Sequence, residues 1–171
     1  METTQRLTRL ALYTTLALMM GYIESLIPLA PPIPGIKLGL PNAVVLLTLE
    51  TLGIPSAFVL MLTRILLSAF LFGSMSSMLY ALSGGLLSLL GMILLCKLKT
   101  RLSISLIAVS VVGALLHNLG QLTAAALVVQ NPHLFLSYLP VLMAAAVITG
   151  TVTGIVVKLL IKYLTDLKKS H

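Results

Sequence analysis

The chain has 171 residues, of which 58% are apolar and only 9% charged, with no tryptophan; soluble domains carry charge at about a quarter of positions, so this composition excludes them and leaves an integral membrane protein with no room for a soluble domain. The net charge of +7 does not point to nucleic acid, because the basic residues sit at the ends of apolar runs rather than in a patch interleaved with aromatics. A single cysteine, Cys96, allows neither an internal disulfide nor a cysteine metal site.

The first apolar run, from about 10 to 27, lacks a clear small-residue cleavage site and reads as a span rather than a signal peptide. Pro28, Pro31, Pro32 and Pro34 with Gly35 and Gly39 forbid a helix after it. A short second span, about 38 to 53, ends at Gly53, where Gly-Ile-Pro turns tightly into a third at about 55 to 72. The stretch Gly73 to Ser77 breaks the chain. A fourth span covers about 78 to 95, with an interruption expected at Gly84 and Gly85, and leads into the basic loop Lys97, Lys99, Arg101. The fifth runs from about 102 to 129, and the sixth from about 134 to 160, before the basic tail Lys162, Lys168, Lys169. The sequence thus predicts one all-α domain, a polytopic bundle of six transmembrane helices without an internal repeat.

Six crossings put both termini on one side. Arg6, Arg9, Lys97, Lys99, Arg101, Lys158, Lys162, Lys168 and Lys169 all fall on that side, and the positive-inside rule makes it the cytoplasm, the reducing side for Cys96. Lys37 and Arg64 are left over.

Polar groups inside spans are costly, about 2.5–3.5 kcal/mol for a charge at the bilayer centre, so each needs a partner or water. His117, Asn118 and Gln121 lie in the fifth span, and Asn118 and Gln121 share a stripe with Ala114 and Ala125. Counting 1.5 Å per residue from the inner ends sets Glu24 and His117 roughly 21 Å deep and Arg64 roughly 13 Å deep. Glu24, His117, Asn118 and Gln121 thus read as the lining of an outward-opening pocket, with Lys37 and Asn42 beside it and Tyr80 and Tyr138 as walls. The competing reading is plain hydrogen bonding between helices. Glu50 and Arg64 are expected to form an ion pair, the alternative being that Arg64 turns into the pocket and favours an anionic ligand. Gly150 and Gly154 form a G-x-x-x-G for packing within the bundle, while Thr8, Ala11 and Thr15 make a small-residue face suited to docking another membrane protein.

This arrangement resembles the substrate-binding S components of energy-coupling factor transporters, six-helix proteins with a cytoplasmic N-terminus and an external pocket. The resemblance implies a coupling subunit and ATPases as partners. In those proteins an A-x-x-x-A pattern on the first helix docks the coupling subunit; here Ala11-Leu-Tyr-Thr-Thr15 departs from it by a threonine. A more specific likeness is to a bacterial membrane family labelled heptaprenyl diphosphate synthase component I, or Gx transporter, carried by Lys37-Leu-Gly-Leu-Pro-Asn42, Arg64-Ile-Leu-Leu-Ser68 with Leu71-Phe-Gly73, Ser83-Gly-Gly-Leu-Leu-Ser88 and His117-Asn-Leu-Gly-Gln121.

Chemistry weighs between the two labels. Prenyl elongation needs metal-bound diphosphate held by several oxygen ligands, and Asp166 is the only aspartate. Glu24 and Glu50 are expected near opposite faces, where they cannot share a metal. No glycine-rich loop followed by Lys-Ser/Thr occurs, so an ATP-driven step belongs to a partner. No Ser/His/acid triad assembles either. The expectation is a non-enzymatic, small-molecule-binding subunit of an uptake transporter without cofactor or metal, and the alternative an accessory subunit of prenyl diphosphate or quinone synthesis.

Overall fold

A computed structural model describes residues 3–26 and 39–169. Lys37 and the proline-rich stretch lie outside the described residues. Among the described residues six helices follow one another: α1 (Thr3–Ser25), α2 (Asn42–Leu52), α3 (Ile54–Phe72), α4 (Met75–Leu102), α5 (Leu106–Val129) and α6 (Pro132–Lys169). No strand occurs among the described residues. The all-α reading with six helices holds.

Among the described residues four helices, α3 to α6, are long and apolar enough to cross a membrane. Their outer surfaces are apolar, with Phe70, Leu71, Leu127 and Leu136 at least two-thirds exposed, whereas Glu24, Arg64 and His117 are buried. Such a surface suits lipid and not water. The chain is a helical membrane protein. The α1 helix has 23 residues but carries Arg6, Arg9 and Glu24.

The expected second span is shorter than its apolar run. Gly39 adopts φ +83°, a left-handed conformation that suits glycine, and helix begins only at Asn42. At 1.5 Å per residue, 11 residues cover about 16 Å, roughly half a hydrocarbon core. Every residue from Asn42 to Leu49 is buried, as befits a helix that is apolar all round. Its neighbours explain this. The outer helices touch in the order α1, α3, α4, α5, α6, and α2 touches all five, so it forms the central post of the bundle.

At the end where α2 meets α3, Gly53 (φ +84°) closes α2 and opens α3, as the Gly-Ile-Pro signal predicts. Arg6 clamps this turn from α1: its Nη2 donates to the Leu52 carbonyl at 3.1 Å and to Ser56 Oγ at 2.9 Å. An orphan carbonyl at a helix end is thereby satisfied.

Two expectations about α4 need correction. Its start is earlier, because Ser74 and Ser77 form a reciprocal capping box, which satisfies donors otherwise left open at a helix N-terminus. The helix also runs unbroken through Gly84 and Gly85. These glycines serve contact rather than a break. A Cβ on Gly84 would lie 2.6 Å from the His117 carbonyl oxygen, and one on Gly120 would lie 2.8 Å from the Gly84 Cα, so α4 and α5 cross backbone to backbone. Ser83 Oγ donates to the Gly120 carbonyl at 2.9 Å across the same crossing. On the other side of α5, Gly150 and Gly154 let α6 approach Val111 and Ile107, where a Cβ would meet Cα atoms at 2.7 and 2.9 Å. The packing role expected for that pair is observed.

Candidate functional site

Polar side chains from α1, α3 and α5 meet where the C-terminal end of α1 faces the N-terminal end of α2. Glu24, in the last turn of α1, is only 2% exposed. Its Oε1 accepts the backbone N–H of Gly39, and that of Leu40 at 3.2 Å. A buried carboxylate is held in this way by amides just ahead of a helix. Gly39 fits there because it presses on the imidazole: a Cβ would lie 2.8 Å from His117 Cδ2.

Arg64 is buried at 6% exposure and donates from Nη2 to Asn42 Oδ1 at 3.0 Å. Residue numbers explain the pairing. Asn42 stands eleven residues before Gly53 and Arg64 eleven after it, so two antiparallel helices joined by that turn bring the two to one level. Glu50 is only three residues before the turn, about 12 Å lower by helical rise. The expected Glu50–Arg64 ion pair is therefore replaced. Glu50 instead pairs with Lys99 Nζ at 3.2 Å and accepts from Cys96 Sγ at 3.4 Å, and Arg64 takes the other orientation, toward the cavity.

His117 and Gln121, one turn apart on α5, join through Nε2 of each at 2.5 Å. Both are 1% exposed. Glu24, Arg64, His117 and Gln121 line one cavity of about 20 Å³, together with Gly21, Pro41, Ile65, Ser68 and Ala81. A cavity of that size holds about one water molecule. Its chemistry is mixed: a carboxylate, a guanidinium, an imidazole and an amide face each other in a space otherwise closed by apolar packing.

The other residues singled out in the sequence lie elsewhere. Asn118 faces α6, donating from Nδ2 to the Leu142 carbonyl at 2.8 Å, and is not part of the cavity lining. Tyr80 is buried with Leu122, Ala125 and Leu142, and Tyr138 packs against the same cluster. Neither tyrosine borders the cavity. Thr8, Ala11 and Thr15 are exposed along α1, and the two threonine hydroxyls fold back onto the carbonyls of Thr4 and Ala11, which leaves that face apolar and narrow. Sequence reasoning missed Ser68, whose Oγ donates to the Arg64 carbonyl at 2.5 Å. Its position four residues after Arg64, on one helix face, was the available signal.

No group of three or more His, Cys, Asp or Glu side chains suited to a metal occurs among the described residues. The arrangement brings charged and hydrogen-bonding groups together in one small cavity. Residues 13–160 match the family model described as heptaprenyl diphosphate synthase component I. No curated protein and no solved structure matches the chain.

Proposed function

The chain belongs to the heptaprenyl diphosphate synthase component I family, and from that premise we propose that it is the membrane-embedded, solute-binding subunit of a small-molecule uptake transporter. The observation that carries this reading is the convergence of Glu24, Arg64, His117 and Gln121 from three helices on one cavity. Ionisable groups inside a membrane bundle are costly, and they gather where a solute or ion is handled. Arg64 in the lining favours a solute with an anionic group, and Glu24 offers a partner for an amine.

In the form described the cavity has the volume of one water, so a solute enters by displacing the Gly39 and Leu40 amides from Glu24. The binding end is the one away from the basic helix ends, which is the external face of a bacterial inner membrane when the positive-inside rule sets the orientation, with both termini cytoplasmic. Lys37 precedes Gly39 by two residues and Asn42 holds Arg64; both belong to the proposed binding region. The exposed face with Thr8, Ala11 and Thr15 is the docking surface for a membrane coupling subunit, and ATPases supply the energy. Small residues permit the close helix approach such docking needs.

A second reading is favoured by the family description itself. A component I implies a second component, and an accessory subunit of prenyl diphosphate or quinone synthesis would anchor a soluble synthase at the membrane. Purification of the full chain from native membranes separates the two. Under the transport reading ATPases and a coupling subunit co-purify; a soluble prenyl synthase retained in their place would overturn it.

A further inference from the structure

The last helix outruns the bundle it belongs to. A Cβ on Gly154 would lie 2.9 Å from the Ile107 Cα, so α6 passes the first turn of α5 at Gly154 and then continues to Lys169, about 22 Å farther at 1.5 Å per residue. Lys97 and Lys99, in the last turns of α4, mark the membrane surface at this end, and the headgroup layer beyond it is only about 5–7.5 Å deep. Val157 and Ile161 still pack on the core, whereas every residue from Lys162 to Leu167 is exposed. The final turns therefore stand in water. Their pattern is amphipathic: Val156, Leu159, Leu160, Tyr163 and Leu164 follow the i, i+3, i+4, i+7, i+8 spacing of one helix face, and each is at least 39% exposed. Lys158, Lys162 and Thr165 share the opposite face. Among the described residues α6 touches only α5 and α2, so no further helix of the chain covers the apolar side.

Two ways of covering that side fail on geometry. The stem does not lie down on the bilayer, because α6 runs unbroken from Pro132 to Lys169 and its internal proline, Pro140, stands before Gly150, where a kink leaves the last turns pointing outward. A partner drawn by the lysines would meet the wrong face, since Lys158 and Lys162 point away from the apolar stripe. A second copy of this chain fits. Copies in one membrane share an orientation, so their stems run parallel, and Val156, Leu160, Tyr163 and Leu167 recur at intervals of four, three and four residues, the spacing of a coiled-coil seam. Leu159 and Leu164 flank the seam and the two lysines stay off it, so like charges do not meet. We propose that the projecting end of α6 is a self-association surface on which two copies pair as a short parallel coiled coil. Free helices of about two heptads are marginal, and confinement to one bilayer raises the effective concentration of the two stems. The inference does not depend on the solute cavity.

The test uses the full chain in native membranes with Cys96→Ser, which removes the single cysteine. In that background Tyr163→Cys is expected to form an intermolecular disulfide on mild oxidation, giving a product of twice the chain mass, and Thr165→Cys, on the lysine face, to give about tenfold less. Adding Leu160→Glu to Tyr163→Cys sets like charges opposite each other in the seam and is expected to abolish the disulfide. The thiol of Tyr163→Cys, capped instead with a benzophenone maleimide and irradiated, reports what lies against the apolar face, and a product of twice the chain mass is expected there too. The proposal is overturned if the two thiols cross-link equally or not at all, if Leu160→Glu leaves the yield unchanged, or if irradiation gives a lipid adduct or a product containing a protein of another mass.

Discussion

Arg64 carries more of this fold than its hydrogen bond to Asn42 suggests. It is buried among α1, α2 and α5 residues, and its Nη2 contact to Asn42 joins α2 to α3 at the level of Glu24. Removing it leaves Asn42 Oδ1 and the Glu24 charge without that cation. Breaking one side of a buried charged arrangement costs about 3–5 kcal/mol, whereas a partly exposed pair such as Glu50–Lys99 contributes about 0–1 kcal/mol. Arg64→Leu is therefore expected to lower the thermal midpoint of the purified protein strongly and Glu50→Gln only slightly. Equal losses would mean that the two residues stabilise one another after all. The sequence showed that Arg64 needs a partner but supplied the wrong one, because counting depth from helix ends misses that α2 and α3 mirror each other about Gly53.

At the scale of elements, glycine pairs set how closely the helices approach. Along α4 and α5, Gly84 and Gly120 leave no room for a side chain, and the same crossing aligns His117 and Gln121 with the cavity. Gly84→Val adds a branched side chain where a single Cβ already comes within 2.6 Å of the His117 carbonyl oxygen, so α4 must move away from α5. The expected outcome is a loss of about 1–3 kcal/mol and an earlier thermal transition, while Gly53→Ala, with open space around it, costs only the strain of its positive φ, about 1–2 kcal/mol. A Gly84→Val protein as stable as the parent would remove the close-contact explanation. Helix number, the Gly53 turn and the packing of Gly150 and Gly154 were legible from spacing and composition alone. The continuity of α4 was not, since a Gly-Gly pair reads the same whether it breaks a helix or admits a neighbour, and only the neighbour decides. The neighbours of Asn118 and Tyr80 were not legible for a similar reason: a polar stripe on a helix gives the angle at which side chains leave but not which of two flanking helices they meet.

For the molecule as a whole, two ends with different chemistry follow from one topology. The buried α2 post links them: Asn42 at its start holds Arg64 beside the polar cavity, and Glu50 near its end holds Lys99 of α4. Five outer helices wrap this post and present apolar side chains outward, which fixes a membrane setting. The central claim is that the cavity lined by Glu24, Arg64, His117 and Gln121 is where a solute is held. Its most direct test is mass spectrometry of the small molecules released on denaturing the full chain after gentle extraction, compared with His117→Leu combined with Gln121→Leu. Replacing both partners of one hydrogen bond by apolar groups is close to neutral for folding, so the variant is expected to elute as folded protein. The parent is expected to release one water-soluble solute in near-stoichiometric amount and the variant none; equal amounts from both, or none from the parent, would contradict the assignment.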